Sequence, residues 1–150
     1  MVTMNGSRLR ARDSRRISDI HNIQAALEFY VQAHTKYPTS TQFFNTTSGV
    51  SALVTEGFIS SMPKDPLTGI VYTYSALGTG TNCLNYHLGV ALEDPNNKAL
   101  VYDADAVAGT NCTGAADFSG LSHTVGGSAC DTDPGTAEPG GTETCYDVKP

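Results

Sequence analysis

The chain has 150 residues, a length that fits one domain with a core of its own. Its net charge is −6, hydrophobic residues make up 39% with no Trp, charged residues only 16%, and there are 15 glycines. This composition favours a loop-rich extracellular domain over a cytosolic enzyme, and no internal repeat or long linker divides the chain.

A long amphipathic helix is predicted from Ser7 to His34. No Gly or Pro interrupts this run, and Pro38 marks its end. Apolar residues recur in it at steps of three and four, which places them on one helix face; they are Ile17, Ile20, Ile23, Leu27, Tyr30 and Val31. At 1.5 Å per residue the helix is about 42 Å long, so it must project from the body or pack along all of it.

The start of this helix is rich in arginine. Up to residue 19, five arginines face two aspartates, a balance of +3, so the other 131 residues carry −9. Arginines oppose the helix dipole at an N-terminus, where acids are preferred. A solvated helix start is the plain alternative, but the misfit favours contacts with anionic partners or lipid headgroups. The candidates are Arg8, Arg12, Arg15 and Arg16.

A connecting region is predicted between the helix and the first strand, over residues 36–69. Residues 35–47 are polar and are expected to form a loop whose two aromatics, Phe43 and Phe44, pack back onto the body. A short helix of about two turns is predicted from Ser48, as N-cap, to Glu56. The Pro and Gly of residues 64–69 indicate a turn.

Alternating patterns then predict an antiparallel sheet over residues 70–102. The predicted strands are Ile70–Ala76, Leu84–Leu92 and Ala99–Tyr102, with a Gly-rich loop from Leu77 to Asn82. Residues 103–150 are expected to be mostly ordered loop, with an edge strand at Cys145–Val148. The fold class predicted is therefore α+β, a single domain in which the apolar face of the helix covers a sheet of three or four strands.

Four cysteines, Cys83, Cys112, Cys130 and Cys145, form no Cys-x-x-Cys pair and have no His at zinc-finger spacing. Disulfides, and hence an oxidising compartment, are the better interpretation than free buried thiols. Three connectivities are possible. The sequence-adjacent pairing, first with second and third with fourth, is favoured because each bridge closes one loop without tying distant elements.

Searches for catalytic chemistry find little, and the chain is not expected to be an enzyme. It contains no nucleophile elbow, P-loop or dinucleotide glycine pattern. The four histidines are isolated, and a lone His is more often satisfied structure than ligand. Nucleic-acid binding is not predicted, because no aromatic residues interleave with the arginines. Asn45 and Asn111 match the glycosylation sequon, a short pattern that is frequent by chance.

Calcium is the one cofactor that the residues suggest. Carboxylates are frequent in the Gly-rich C-terminal third, and hard oxygen ligands on irregular backbone suit calcium. Asp131 and Asp133 are the best candidates, although the residues after them do not complete an EF-hand pattern. Plain surface acidity, which aids solubility, is the alternative.

Three blocks and the C-terminus together resemble type IV pilins and type II secretion pseudopilins. They are ARDSRRISDIHNIQAALEFYVQAHTKYPTS, GFISSMPKDPLTGIVYTYSA, NYHLGVALE and the closing CYDVKP. The first resembles the amphipathic helix that follows the family's membrane anchor, ending in Tyr-Pro. The second resembles its Gly-Tyr-Ile…Pro-x-Asp-Pro…Gly…Tyr-x-Tyr segment, with Phe58 in place of the usual Tyr.

The resemblance implies the pilin fold and a structural role. Such a subunit polymerises into a helical pilus or secretion pseudopilus, with itself, with other pilins or pseudopilins and with an inner-membrane assembly platform. It would lie in the bacterial inner membrane and periplasm before assembly. The family's apolar N-terminal segment is expected upstream of Met1, because the first four residues are too short to span a bilayer. In that role Arg8, Arg12, Arg15 and Arg16 would contact neighbouring subunits or lipid headgroups. Asp65, Asp94 and the C-terminal loop would lie on the exposed outer surface. A secreted calcium- or ligand-binding module without a filament role is the alternative.

Overall fold

The computed structural model describes residues 4–44, 51–104, 109–113, 117–118, 124–125, 128–129 and 144–150. Three helices come first: α1 (Met4–His34), α2 (Ser40–Phe44) and α3 (Ala52–Thr55). Strands β1 (Thr73–Thr79) and β2 (Asn82–Ala91), a 3-10 helix (Lys98–Val101) and strands β3 (Thr124–Val125), β4 (Ser128–Ala129) and β5 (Cys145–Val148) follow. The predicted α+β class is confirmed: α1 packs on a three-stranded antiparallel sheet, ordered β1-β2-β5.

Helix α1 buries the predicted apolar face. It is 31 residues long, about 46 Å at 1.5 Å per residue. Ile20, Ile23 and Leu27 are fully buried and belong to one core with residues of β2, among them Tyr86 and Leu88. Each such side chain contributes about 1.5–3 kcal/mol through burial, which makes this face the main attachment of the helix. No helix within the described ranges is long and apolar enough to cross a membrane.

The β1–β2 hairpin is shifted along the chain and has a tighter turn than predicted: β1 begins at Thr73 and not at the predicted Ile70. Residues 77–79 extend β1, and Asn82 already pairs with Thr79, so the expected loop from Leu77 to Asn82 shrinks to a two-residue turn. The register shifts between Leu77 and Gly78, where Gly78 has a φ of +146°. A Cβ at Gly78 would lie 2.0 Å from the carbonyl oxygen of Asn82, so only glycine allows this close approach.

Both outer edges of the sheet are covered by other parts of the chain. Along β1, the backbone N–H of Gly78 donates to Thr110, and the N–H of Cys112 donates to Ala76. Along β5, the N–H of Ala104 donates to Asp147. These bonds occupy backbone groups of Ala76, Gly78 and Asp147, and those parts of the edges are therefore closed to pairing with a strand of another molecule.

Helix α2 was not predicted, because residues 35–47 were interpreted as polar loop. Its start is a reciprocal cap: the N–H of Gln42 donates to the Thr39 hydroxyl at 3.2 Å, and the Thr39 N–H donates to the Gln42 side chain at 2.8 Å. This is the Thr-x-x-Gln capping box, a pattern readable in the sequence. The helix carries Phe43 into the core, as expected, while Phe44 stays 38% exposed.

Two further element predictions were wrong in type or extent. Ala99–Tyr102 was predicted as a strand, but residues 98–101 form a 3-10 helix because the Asn97 side chain accepts from the Ala99 N–H and caps it. The helix predicted over residues 48–56 is reduced to α3, capped by Ser51; the predicted cap Ser48 lies outside the described residues. The edge strand expected at Cys145–Val148 is confirmed as β5.

A disulfide fastens the hairpin to the loop that covers β1. Cys83 and Cys112 are bonded, with their Cα atoms 5.2 Å apart, and both are buried. This is the first of the two expected pairings. Cys145 is also disulfide-bonded, and its expected partner, Cys130, lies outside the described residues.

Candidate functional site

The most elaborate polar site lies where α1 meets two turns of the body, at Arg16. The Arg16 side chain is only 3% exposed and contacts three carboxylates. Its Nε donates to Asp65 at 2.5 Å, and its Nη1 donates to Asp13 at 2.7 Å and to Glu93 at 2.5 Å. We call Arg16 and these three acids the Arg16 network. It connects α1 to the turn after Lys64 and to the turn after β2.

The turn after β2 is held by two residues of the helix, Asp13 and Arg12. The two carboxylate oxygens of Asp13, which is fully buried, accept the backbone N–H groups of Glu93 and Asp94 at 2.9 Å each. One turn earlier in α1, Arg12 makes a two-point contact with Glu93, at 2.7 Å from Nε and 2.5 Å from Nη2. Paired donors of this kind fix orientation as well as distance.

The turn after Lys64 is organised by Asp65. Its Oδ1 accepts the N–H groups of Leu67 and Thr68, at 2.9 and 2.7 Å, while its Oδ2 faces Arg16. Burial by itself would raise the pKa of Asp65, but the bonds from Arg16 and from the two N–H groups outweigh it and lower the pKa to about 2. The carboxylate of Asp65 is therefore charged at pH values well above 2.

The pKa values of Glu93 and Arg16 are also shifted in the direction that favours their charged forms. The hydrogen bond from Arg12 lowers the pKa of Glu93, and the bond from Arg16 adds to this effect. Burial opposes the charge of Arg16, but its bonds to Asp65, Glu93 and Asp13 dominate and raise the pKa of its guanidinium. A buried cation with matched acids is costly to disrupt from either side.

N-terminal to this network, α1 leaves the body. From Gly6 to Ala11 four residues are exposed and two are partly exposed. A loose pair joins Arg10 to Asp94 at 3.8 Å, with the Arg10 side chain 77% exposed. Eight residues of helix, Met4 to Ala11, therefore extend about 12 Å beyond the last close attachment.

The structure divides the four arginines predicted to contact subunits or lipid. Arg16 is buried within the chain, so that prediction is wrong for it, and Arg12 is engaged with Glu93. Arg8 is exposed, and Arg15 is 67% exposed with a loose 3.9 Å pair to Asp19. These two remain predictions.

The expectation that Asp65 lies on the outer surface was wrong, because its residue is only 5% exposed. A signal for the network was present in the sequence. Asp13 and Arg16 fall on the same line of the helix as Ile20 and Ile23, at steps of three and four, which indicates burial rather than solvent. Buried charges require partners, and Asp65 and Glu93 supply them.

A second buried polar group surrounds His87 on β2. Its Nε2 lies 2.6 Å from Asp147, its Nδ1 lies 3.2 Å from Asp117, and its ring stacks on Phe118 with centroids 3.8 Å apart. All three polar side chains are fully buried. The His87 side chain is fully buried and both of its ring nitrogens face carboxylates, which fits the expectation that a lone His is structural.

The sequon at Asn111 is also used structurally. Asn111 is 3% exposed, and its amide nitrogen donates to the hydroxyls of Ser40 and Ser75 at 3.0 and 3.1 Å. That nitrogen is the atom a glycan would occupy, so the folded chain does not present it. Asn45 lies outside the described residues.

The predicted calcium ligands Asp131 and Asp133 lie outside the described residues. Among the residues that the structure does describe, no group of three His, Cys, Asp or Glu side chains is arranged to hold a metal ion.

Comparison with known proteins adds no relative. No model of a protein family matches the chain. A search of curated proteins and a search of solved structures also return no match. The functional argument is therefore made from the residues and the geometry above.

Proposed function

We propose that the chain is the folded part of a filament subunit of the type IV pilin or type II secretion pseudopilin kind. The observation that carries this proposal is a helix that is firmly attached to the body along one part and free of it along another. The attached part runs from Arg12 to His34, and the stretch from Gly6 to Ala11 is largely exposed, with only the loose pair of Arg10 and Asp94 joining it to the body. A structural subunit of this kind needs no catalytic step.

A helix attached in this way would hold the body at a fixed position relative to neighbouring subunits. Apolar burial holds the C-terminal half of α1, and the Arg16 network holds it where it emerges. A helix held at both places cannot swing relative to the sheet. Heterologous contacts repeated through such helices build open helical polymers rather than closed rings.

The covered sheet edges favour the same mode of assembly. With Gly78 and Cys112 bonded along β1, and Ala104 along β5, strand addition has little backbone to use. Within the part of the chain that the structure describes, the projecting start of α1 and its exposed face offer surfaces for subunit contacts. Contacts of α1 with other pilins or pseudopilins, and with an inner-membrane assembly platform, belong to this proposal.

In this role an apolar segment continuing from the start of α1 would hold the subunit in the inner membrane before assembly. The exposure of Ser7, Arg8, Arg10 and Ala11 supports this, because the start of α1 is not packed into the body. The assembled filament would be extracellular or periplasmic.

The experiment is site-specific photo-crosslinking in cells that express the full-length gene with its neighbouring genes. A photoreactive residue is placed at Ser14, exposed on α1, and in a matched variant at Thr81, exposed at the hairpin turn. Irradiation of the Ser14 variant is expected to give a ladder of dimers, trimers and larger species, which immunolabelling would place on fibres.

The Thr81 variant controls for random collision and is expected to give a weaker ladder or none. A stable, correctly folded Ser14 variant that yields only monomer would overturn the proposal, whether or not the cells carry visible fibres. A ladder from both positions of equal strength would point to aggregation instead of ordered assembly.

A further inference from the structure

We infer that the end of the body from which α1 emerges is a docking surface for an anionic lipid membrane. We call this surface the helix-entry end; it comprises α1 up to Arg16 and the turns 64–70 and 93–98. This inference does not depend on the proposed function, because it concerns the chain as described here and can be tested without any filament.

The first observation is the concentration of cations. Seven of the nine Lys and Arg residues of the chain belong to the helix-entry end, against four of its 15 acids. The helix-entry end therefore carries +3, and the other described residues, with six acids and two lysines, carry −4. An anionic membrane attracts one and repels the other, so charge alone sets the orientation of docking.

The second observation is which of those charges are available. The acids Asp13 and Asp65 are buried. Arg16 is held in the Arg16 network, and Arg12 is bonded to Glu93, which belongs to that network. The remaining five cations are exposed: Arg8, Arg10, Arg15, Lys64 and Lys98. Arg10 and Arg15 have only loose, exposed pairs at 3.8 and 3.9 Å, which contribute little and leave both charges open to a membrane.

The third observation is apolar. The turn that Arg16 holds through Asp65 presents Leu67, 64% exposed, and Ile70, 43% exposed. Lys64 precedes them in the same turn. Exposed aliphatic side chains beside cations suit the boundary between lipid headgroups and acyl chains, where the apolar groups enter and the cations meet phosphates. A protein surface offering only carboxylates would satisfy the cations but not these two side chains.

The test is sedimentation of the purified chain with vesicles of phosphatidylcholine containing about one-third phosphatidylglycerol, compared with pure phosphatidylcholine. Binding is expected to the anionic vesicles at low salt and to weaken as salt rises. Replacing Arg8 and Lys64 by Gln is expected to weaken it by roughly 30-fold, since each cation near the surface changes partitioning about fivefold.

The matched control removes the same charge elsewhere. Lys36, which follows α1, and Lys149, which follows β5, replaced together by Gln should weaken binding by no more than about twofold. For the apolar part, Leu67→Ser is expected to weaken binding several-fold. Leu84→Ser, at a side chain 69% exposed on the opposite end of β2, should leave binding unchanged.

Three results would overturn the inference. One is no binding to anionic vesicles at low salt by a folded protein. Another is an equal loss in the Lys36/Lys149 control, which would mean unspecific charge attraction. The third is self-association in sedimentation velocity that the Arg8/Lys64 variant abolishes while vesicles have no effect, which would assign the surface to a second copy of the chain.

Discussion

Replacement of Arg16 by Met tests the attachment of α1 directly. Met keeps an unbranched apolar stem and removes the charged guanidinium. Asp13 and Asp65, both buried, then lose the cation between them, while Glu93 keeps Arg12. Loss of one partner from a buried ionic network costs about 3–5 kcal/mol. For a chain of this length that loss lowers Tm by roughly 10–15 °C.

The assay is urea unfolding followed by circular dichroism, with the midpoint and slope both fitted. Arg15→Met is the control, since it removes the same charge from a side chain that is 67% exposed, and should change stability by less than about 1 kcal/mol. Asp65→Asn combined with Arg16→Met should cost less than the two single changes added. An Arg16→Met protein within 1 kcal/mol of the parent, at unchanged slope, would refute the reasoning.

Three further outcomes are expected. The pKa of Asp65 is lowered to about 2, so its stabilising effect is present above the unfolded-state pKa near 4 and is lost as pH falls towards 2. The free energy of unfolding, measured against pH, should show this loss in the parent protein and not in Asp65→Asn. Replacing Cys83 and Cys112 by Ser opens a loop with a sequence separation of 29, and calorimetry should detect a loss of about 3.5 kcal/mol. Leu27→Ala, at a fully buried site, should cost about 2–5 kcal/mol in urea unfolding, while Ala25→Ser on the exposed face changes little.

The elements that the sequence predicted well are those with long periodic patterns. Helix α1 repeats its apolar spacing over several turns, and β2 alternates from Tyr86 to Val90, so the periodicity is strong enough to decide. Leu84 follows the same alternation but is 69% exposed, because it is the residue left without a partner where the register shifts: Leu77 pairs with Asn85, and Gly78 pairs with Cys83. Periodicity identifies a face and does not reveal a bulge that interrupts the alternation.

The short elements depended on local hydrogen bonds that hydropathy does not register. Thr39 with Gln42 caps α2, and Asn97 caps the 3-10 helix in place of a predicted strand. Long-range partners were harder still. Nothing local joins Arg16 to Asp65, 49 residues away, so only the line shared by Asp13 and Arg16 with the apolar face hinted at burial.

The ionic Arg16 network fixes the position of α1 along its own axis more strictly than apolar packing would. Ile20, Ile23 and Leu27 are similar in size, so an apolar face alone would tolerate a shift of α1 by one turn, about 5.4 Å, at modest cost. Such a shift would carry Arg16 away from Asp65 and leave buried charges unmatched, at about 3–5 kcal/mol. The network therefore selects one axial position of the helix even if an apolar replacement gave equal stability. In the proposed filament that selection matters, because any sliding of the body along α1 would change the spacing between subunits.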